Sequence, residues 1–297
     1  DLQSINLVLG AIQSLEHALM QFDFRNSDLR RRFDGVKYIV KKLETLAYEV
    51  DLALKRAAAG SENNSDPILS NAVSTDATDL QASPKKRKLG AVEDTSSTPT
   101  AIDLQIIGDI KKRYDRFDAM REQTIKRSRD VTKGAKNAIF ALQRDDLDKA
   151  SALLKQCTRD ANSLHKDVVH DNTSLRGGSF AAALEELVEA LAYRAFRKER
   201  KLLSQEELQQ ESGLSFPLSL VEYLGGLMDL TGEVGRLAVR SAGRGREGVK
   251  DVKVCLACVD KVYSGLQELP LLPGGLGKKM GPLKGTLTKI EGALYEL

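Results

Sequence analysis

Four acidic residues stand at spacings that set them in pairs. Glu186 and Glu189 are three positions apart, and Asp229 and Glu233 are four apart, so each pair shares one face of a helix. Around the first pair, Leu184, Leu187, Val188, Leu191 and Ala195 gather on one side, with the acids opposite, near Tyr193 and Arg197. By itself that pattern describes a solvated helix face. The second pair is set differently. Leu220, Leu224, Leu227, Met228, Leu230, Val234 and Leu237 take up most of the circumference, leaving a narrow stripe of Gly225, Gly226, Asp229, Gly232, Glu233 and Arg236. A helix so widely apolar is buried on most sides, and acids on its remaining stripe need a partner cation or a metal. Two readings stay open: ion pairs of Asp229 or Glu233 with Arg236 or Arg240, or a confined site whose glycines admit a second backbone or a substrate.

Carboxylates without histidine suit a hard divalent cation such as Mg²⁺ or Mn²⁺. Di-iron bundles use Glu-x-x-His pairs instead, and His17, His165 and His170 lie in neither acidic helix, which argues against a ferritin-like oxidase. His165 and His170 read as polar-face residues rather than ligands. Cys255 and Cys258 have CxxC spacing, but no second CxxC or paired His completes a zinc site. They fall inside the apolar run Val252, Val254, Leu256, Val259, where Cys serves as a small hydrophobe. With Cys157 they make three cysteines, too few for a disulfide framework, so a reducing compartment is expected.

The elements that must position these residues are helices throughout. Hydrophobic residues are 41% and charged residues 29% of the 297, aromatics are sparse and Trp is absent, so the core rests on Leu, Val, Ile and Ala. A net charge of +3 does not announce a nucleic-acid binder, and no apolar run approaches the roughly 18 residues of a membrane helix. No stretch alternates with a period of two, so the expected fold class is all-α. Helical periodicity predicts a hairpin from Leu2 to Phe22 and, capped by Asn26-Ser-Asp28, to about residue 56, within a domain 1–60. Residues 61–100 are Ser-, Thr-, Asn-, Asp- and Pro-rich and are read as a disordered linker. In it, Lys85, Lys86, Arg87 and Lys88 follow Pro84; this compact basic cluster looks like a nuclear-import signal, with a solvated charge run as the alternative. Helical pattern resumes over 101–297: one long helix or a broken pair at 103–143, then 146–170, 179–203, a short helix capped by Ser204, 217–240 opened by Pro217, 249–267 and 279–297. The segment 40–50 also echoes 287–297, with Lys, Glu, Tyr and Glu at matching offsets.

These residues resemble a family. Ser128-Arg-Asp-Val-Thr132, Ala138-Ile-Phe-Ala-Leu-Gln-Arg144, Leu184-Glu-Glu-Leu-Val-Glu-Ala190, Phe196-Arg-Lys-Glu-Arg-Lys-Leu-Leu-Ser204 and Tyr223-Leu-Gly-Gly-Leu-Met-Asp-Leu-Thr-Gly-Glu233 are similar to the translin family, and within it to the translin-associated, RNA-cleaving type of subunit. Asn26 to Glu44 resembles the last helix of translin itself, which accounts for the echo.

The resemblance implies a helical bundle of about seven helices, preceded here by the hairpin and linker, assembling with translin into a barrel-like hetero-octamer of cytoplasm and nucleus. It implies a Mg²⁺-dependent endoribonuclease acting on single-stranded RNA, such as small-RNA passenger fragments and tRNA-processing fragments, with single-stranded DNA as a further ligand. Carried over by motif, Glu186, Glu189, Asp229 and Glu233 are the catalytic and metal-holding acids. Arg197 and Arg200, expected near the acidic face, are candidate RNA-phosphate contacts. A non-catalytic, nucleic-acid-binding or scaffolding partner of translin is the alternative.

Overall fold

The structure is a computed structural model that describes residues 2–24, 28–59 and 104–297. The linker, its basic cluster Lys85, Lys86, Arg87 and Lys88, and the cap residues Asn26 and Ser27 lie outside the described residues. Every element among those described is helical: α1 (Leu2–Leu19), α2 (Asp28–Ala59), α3 (Leu104–Gln143), α4 (Leu147–Leu164), α5 (Ser179–Glu199), α6 (Gln205–Ser212), α7 (Leu220–Ala242), α8 (Val249–Gln267) and α9 (Met280–Tyr295). One compact unit ends at Arg116 and a second begins at Phe117.

In the first unit α1 packs along α2. Ala18, Phe24, Phe33 and Val40 are buried among its described residues. The rings of Phe22 and Phe24 stack at 5.4 Å, Phe33 meets Phe24 at 5.5 Å, and Tyr114 from the start of α3 closes on Phe22 at 5.6 Å. Lys111 and Lys112 pair with Asp115 and Asp109, as expected of a solvated helix face.

The second unit is organised around α7, which packs against α5, α8 and α9. Its start corrects the reading from Pro217. Ser219 is the cap, accepting from the Glu222 amide, while Glu222 answers the Ser219 amide. This reciprocal box satisfies two otherwise orphaned donors, which a proline cannot do. α6 opens on Ser204 with the same device through Glu207. The first segment after the linker is one unbroken helix, and α4 runs into a π turn at His165–Val169.

Glycine sets how closely α7 is approached. A Cβ at Gly226 would lie 2.4 Å from Val188 Cγ1 and 2.8 Å from the Glu185 carbonyl oxygen, and one at Gly225 would lie 2.7 Å from the Glu185 carboxyl. The α5–α7 contact therefore depends on two missing side chains. α5 is in turn buried almost all round, by Phe180, Leu184, Leu187, Val188, Leu191, Tyr193 and Phe196 among others. Arg200, in the left-handed conformation, ends it by donating its amide to the Phe196 carbonyl.

Candidate acidic cleft

α3, α5 and α7 together line a cleft of about 560 Å³. Lys136, Ile139, Phe140 and Gln143 come from α3, Glu186 and Glu189 from α5, and Asp229, Gly232, Glu233 and Arg236 from α7. All four acids singled out by spacing thus face one cavity. The solvated-face reading of α5 fails for Glu189, which is 8% exposed; α5 is enclosed on this side by α7 rather than by water.

Three of the acids are held by partners. Glu186 pairs with Lys136 at 3.1 Å. Glu233, itself buried, pairs with Arg236 and accepts from Gln143 Nε2 at 2.6 Å. Asp229 accepts from Lys279 Nζ at 2.7 Å, and the same ammonium reaches Glu185 Oε2 at 2.9 Å and the Gly225 carbonyl at 3.3 Å. Burial alone would lower the Lys279 pKa; its hydrogen bonds to Asp229 and Glu185 outweigh that and raise it.

Glu189 is the exception. Burial, and then the negative charges of Asp229, Glu186 and Glu233, push its carboxyl from 4.5 up to about 8, with only the Arg236 charge opposing. A carboxyl so placed holds a proton at neutral pH until a positive charge enters the cleft.

The donor set fits a hard divalent cation in kind. The cleft offers carboxylates without imidazole or thiolate, and the repulsion around Glu189 is what such a cation would relieve. As the side chains stand, no three His, Cys, Asp or Glu residues among those described converge on one point. Loading the cleft requires Glu186, Asp229 and Glu233 to turn from Lys136, Lys279 and Arg236. Both readings left open for the α7 stripe are therefore present at once: Glu233 and Arg236 form the foreseen ion pair, inside a confined site.

The structure sets Arg197 and Arg200 apart from the acids, correcting their expected place on the acidic face. Arg197 turns to the end of α3, where it pairs with Asp145 and donates to the Leu142 carbonyl at 2.7 Å; its side chain is 9% exposed. Arg200 pairs with Asp251 at 3.5 Å. Arg236 and Lys136 supply the cleft's cations instead. Glu185 and Lys279 were missed by sequence reasoning, since Lys279 lies 50 positions beyond Asp229 and no local spacing relates them. Cys157, Cys255 and Cys258 are buried and free, and burial raises the last two to about 11 and 12, so they pack as expected. His165 stacks on Phe216 at 4.2 Å and His170 pairs with Asp171, both away from the cleft lining.

With this geometry in hand, comparison with known proteins places the chain. The Translin family pattern matches residues 119–297, more than half of the sequence and all four acids. The chain belongs to the translin family. It is similar to Translin-associated protein X of Mus musculus, 26% identical over an alignment of 222 positions that covers 64% of this chain and 74% of that protein. The rat protein of that name is 24% identical over an alignment of 248 positions that covers 72% of this chain and 83% of the relative. The Schizosaccharomyces pombe homolog is 25% identical over 188 residues, 59% and 79%. Among translin-type solved structures, apo-NeC3PO superposes with a TM-score of 0.54 at 21% identity, covering 68% of this chain and 98% of that one. AfC3PO matches with a TM-score of 0.54 at 20% identity, covering 64% and 96%. AfC3PO in complex with duplex RNA matches with a TM-score of 0.51 at 19% identity, covering 64% and 95%. The fold is the all-α translin type.

Proposed function

We propose that this translin-family chain is the RNA-cleaving subunit of an assembly with translin, a Mg²⁺-dependent endoribonuclease for single-stranded RNA, with Mn²⁺ as a substitute ion. The observation that carries the reading is the convergence of Glu186, Glu189, Asp229 and Glu233, from two helices, on one cleft with a buried and mutually repelling centre. Similarity to Translin-associated protein X and to the C3PO structures, one of them with RNA, supports an RNA-binding oligomer.

In this reading the four acids hold the cation. When bound, it supplies a water of lowered pKa and positive charge for the phosphate in the transition state. The chain's own residues do the rest. Gln143 holds the Glu233 carboxylate at the cleft wall, while Arg236 and Lys279 occupy Glu233 and Asp229 until a cation draws those acids away. Lys136 and Arg236, both mostly exposed, are placed to receive phosphate oxygens at the cleft mouth once their acids turn to a cation. Closely packed α5 and α7 keep the acids from spreading apart.

Cleavage of a short single-stranded RNA by the chain co-expressed with translin tests this, with Mg²⁺, with EDTA, and with Asp229→Asn. Loss of cleavage in both controls is the expected result. A second reading, a non-catalytic RNA-binding and scaffolding partner, draws on the ion pairs that hold three of the acids. It takes over if the wild-type assembly binds RNA and leaves it intact in Mg²⁺.

A further inference from the structure

The acidic cleft has one lining residue whose chemistry the acids do not explain. Phe140 is 52% exposed, whereas Phe180, Phe196 and Phe216 of the same unit are 0%, 1% and 4% exposed. A phenyl ring left open to water is common as an isolated surface residue, but this one stands in a cavity whose other lining residues are mostly charged or polar. The guanidinium of Arg144 lies 4.0 Å from the ring centroid, in a cation–π contact. Lys136 and Phe140 stand four residues apart on α3, about 6 Å along the helix, and Arg144 follows in the turn just past its end, folded back over the Phe140 ring; all three are exposed. Lys133 and Asn137, also exposed, extend this row.

A row of cation, flat aromatic ring and cation beside a site for phosphate chemistry is the arrangement by which proteins hold single strands. The cations take successive phosphates, and the ring takes a base, whatever its identity, because every base has a π face. A nucleic-acid strand supplies the charge complement directly.

We propose that Phe140 is a stacking platform for one nucleobase of a single strand held in the cleft, backed by Arg144, with Lys136 and Arg144 receiving the flanking phosphates. This subsite rests on the nuclease reading and adds to it. It sets which nucleotide is gripped beside the acids and predicts acceptance of any base at that position.

The test measures binding without turnover, with the full chain carrying Asp229→Asn and assembled with translin, in Mg²⁺. The probe is a single-stranded oligoadenylate of about ten nucleotides in which one abasic residue is moved along the strand. We expect one position at which the missing base weakens binding about tenfold. Phe140→Leu should weaken the intact strand by a similar factor and abolish sensitivity at that position, and Phe140→Trp should restore both. Sensitivity that persists in Phe140→Leu overturns the platform. So does strong RNA binding with no sensitive position, which leaves the nuclease reading intact. A changed assembly mass in Phe140→Leu, with the abasic profile kept, identifies Phe140 as a subunit contact and overturns the proposal. Absence of RNA binding by the assembly overturns the proposal and the nuclease reading together.

Discussion

Replacing Glu189 by Gln should stabilise the protein at neutral pH when no divalent cation is present. The carboxyl is 8% exposed and its pKa stands at about 8 against 4.5, so between those values the folded state holds a proton that the unfolded chain has lost. Folded protein then binds more protons, and stability falls as pH rises from 4.5 to 8. At pH 7 the difference is about two and a half pH units, or about 3 kcal/mol at most at 1.36 kcal/mol per unit. Glutamine keeps the shape without the charge, and its amide has Asp229 and Glu233 as acceptors within the same cleft. The expected rise in melting temperature is about 6–12 °C at pH 7 for a unit of this size. At pH 5 it should shrink to about a quarter of that, because the unfolded carboxyl then stands only half a unit above its pKa of 4.5 and gains little by ionising. Melting followed by circular dichroism in EDTA, at both pH values, measures it. Saturating Mg²⁺ should close the gap by stabilising the wild type more than the variant. Equal melting of the two proteins at pH 7, or a stabilisation of equal size at pH 5, would refute the argument that Glu189 is held against repulsion.

Three further outcomes follow from the same geometry. Lys279→Met removes the ammonium shared by Asp229 and Glu185 and makes the cleft more negative, so the Mg²⁺ concentration giving half-maximal thermal stabilisation should fall several-fold while the unloaded protein loses about 1 kcal/mol. Gly226→Ala places a methyl 2.4 Å from Val188 and 2.8 Å from a backbone oxygen; it should cost about 1–3 kcal/mol in urea unfolding, as overpacking does. Arg176→Ala breaks a bidentate pair with the buried Glu222, so chemical unfolding should show a loss of about 3–5 kcal/mol, with RNA affinity unchanged below the melting range.

The helices and the acid pairs were legible because both are local. A period near 3.6 marks each helix, and a three- or four-residue step marks each pair. Ser204 was readable as a cap for the same reason, since Glu207 stands three positions on. Ser219 has the same signature with Glu222, but the adjacent Pro217 offered a competing start. What stayed hidden depends on tertiary approach. Glu186 and Glu189 lie on what the α5 sequence gives as a polar face, and only the arrival of α7 removes water from Glu189. Arg197 shares that face by spacing, yet the end of α3 gives it the Leu142 carbonyl and Asp145, and it turns there. Lys279 comes from a 3₁₀ segment in which Gly274 and Gly275 adopt positive φ, a path that no periodicity announces.

The acids and the glycines of α7 belong to one device. Gly225 and Gly226 let α5 come close enough that Glu185 and Val188 fill the place of two side chains. Asp229 lies about one turn further along α7 than Gly225 and Gly226, and Glu233 about one turn beyond Asp229, so the approach that seals α5 against α7 also fixes the spacing of the acids across the cleft. Gly232 has no neighbour at its missing Cβ and lines the cleft instead, where it keeps space open rather than filling it. The same helix thus uses glycine for contact with α5 at Gly225 and Gly226 and for access nearly two turns later. That division predicts opposite results for one substitution at two positions. Gly226→Ala should lower stability, whereas Gly232→Ala should leave the melting temperature within about 2 °C, as a surface change does, and weaken Mg²⁺-dependent stabilisation by narrowing the cleft. Melting curves of both variants with and without Mg²⁺ decide it: if Gly232→Ala unfolds early and keeps its response to Mg²⁺, the glycine supports packing and the cleft is not the cation's place.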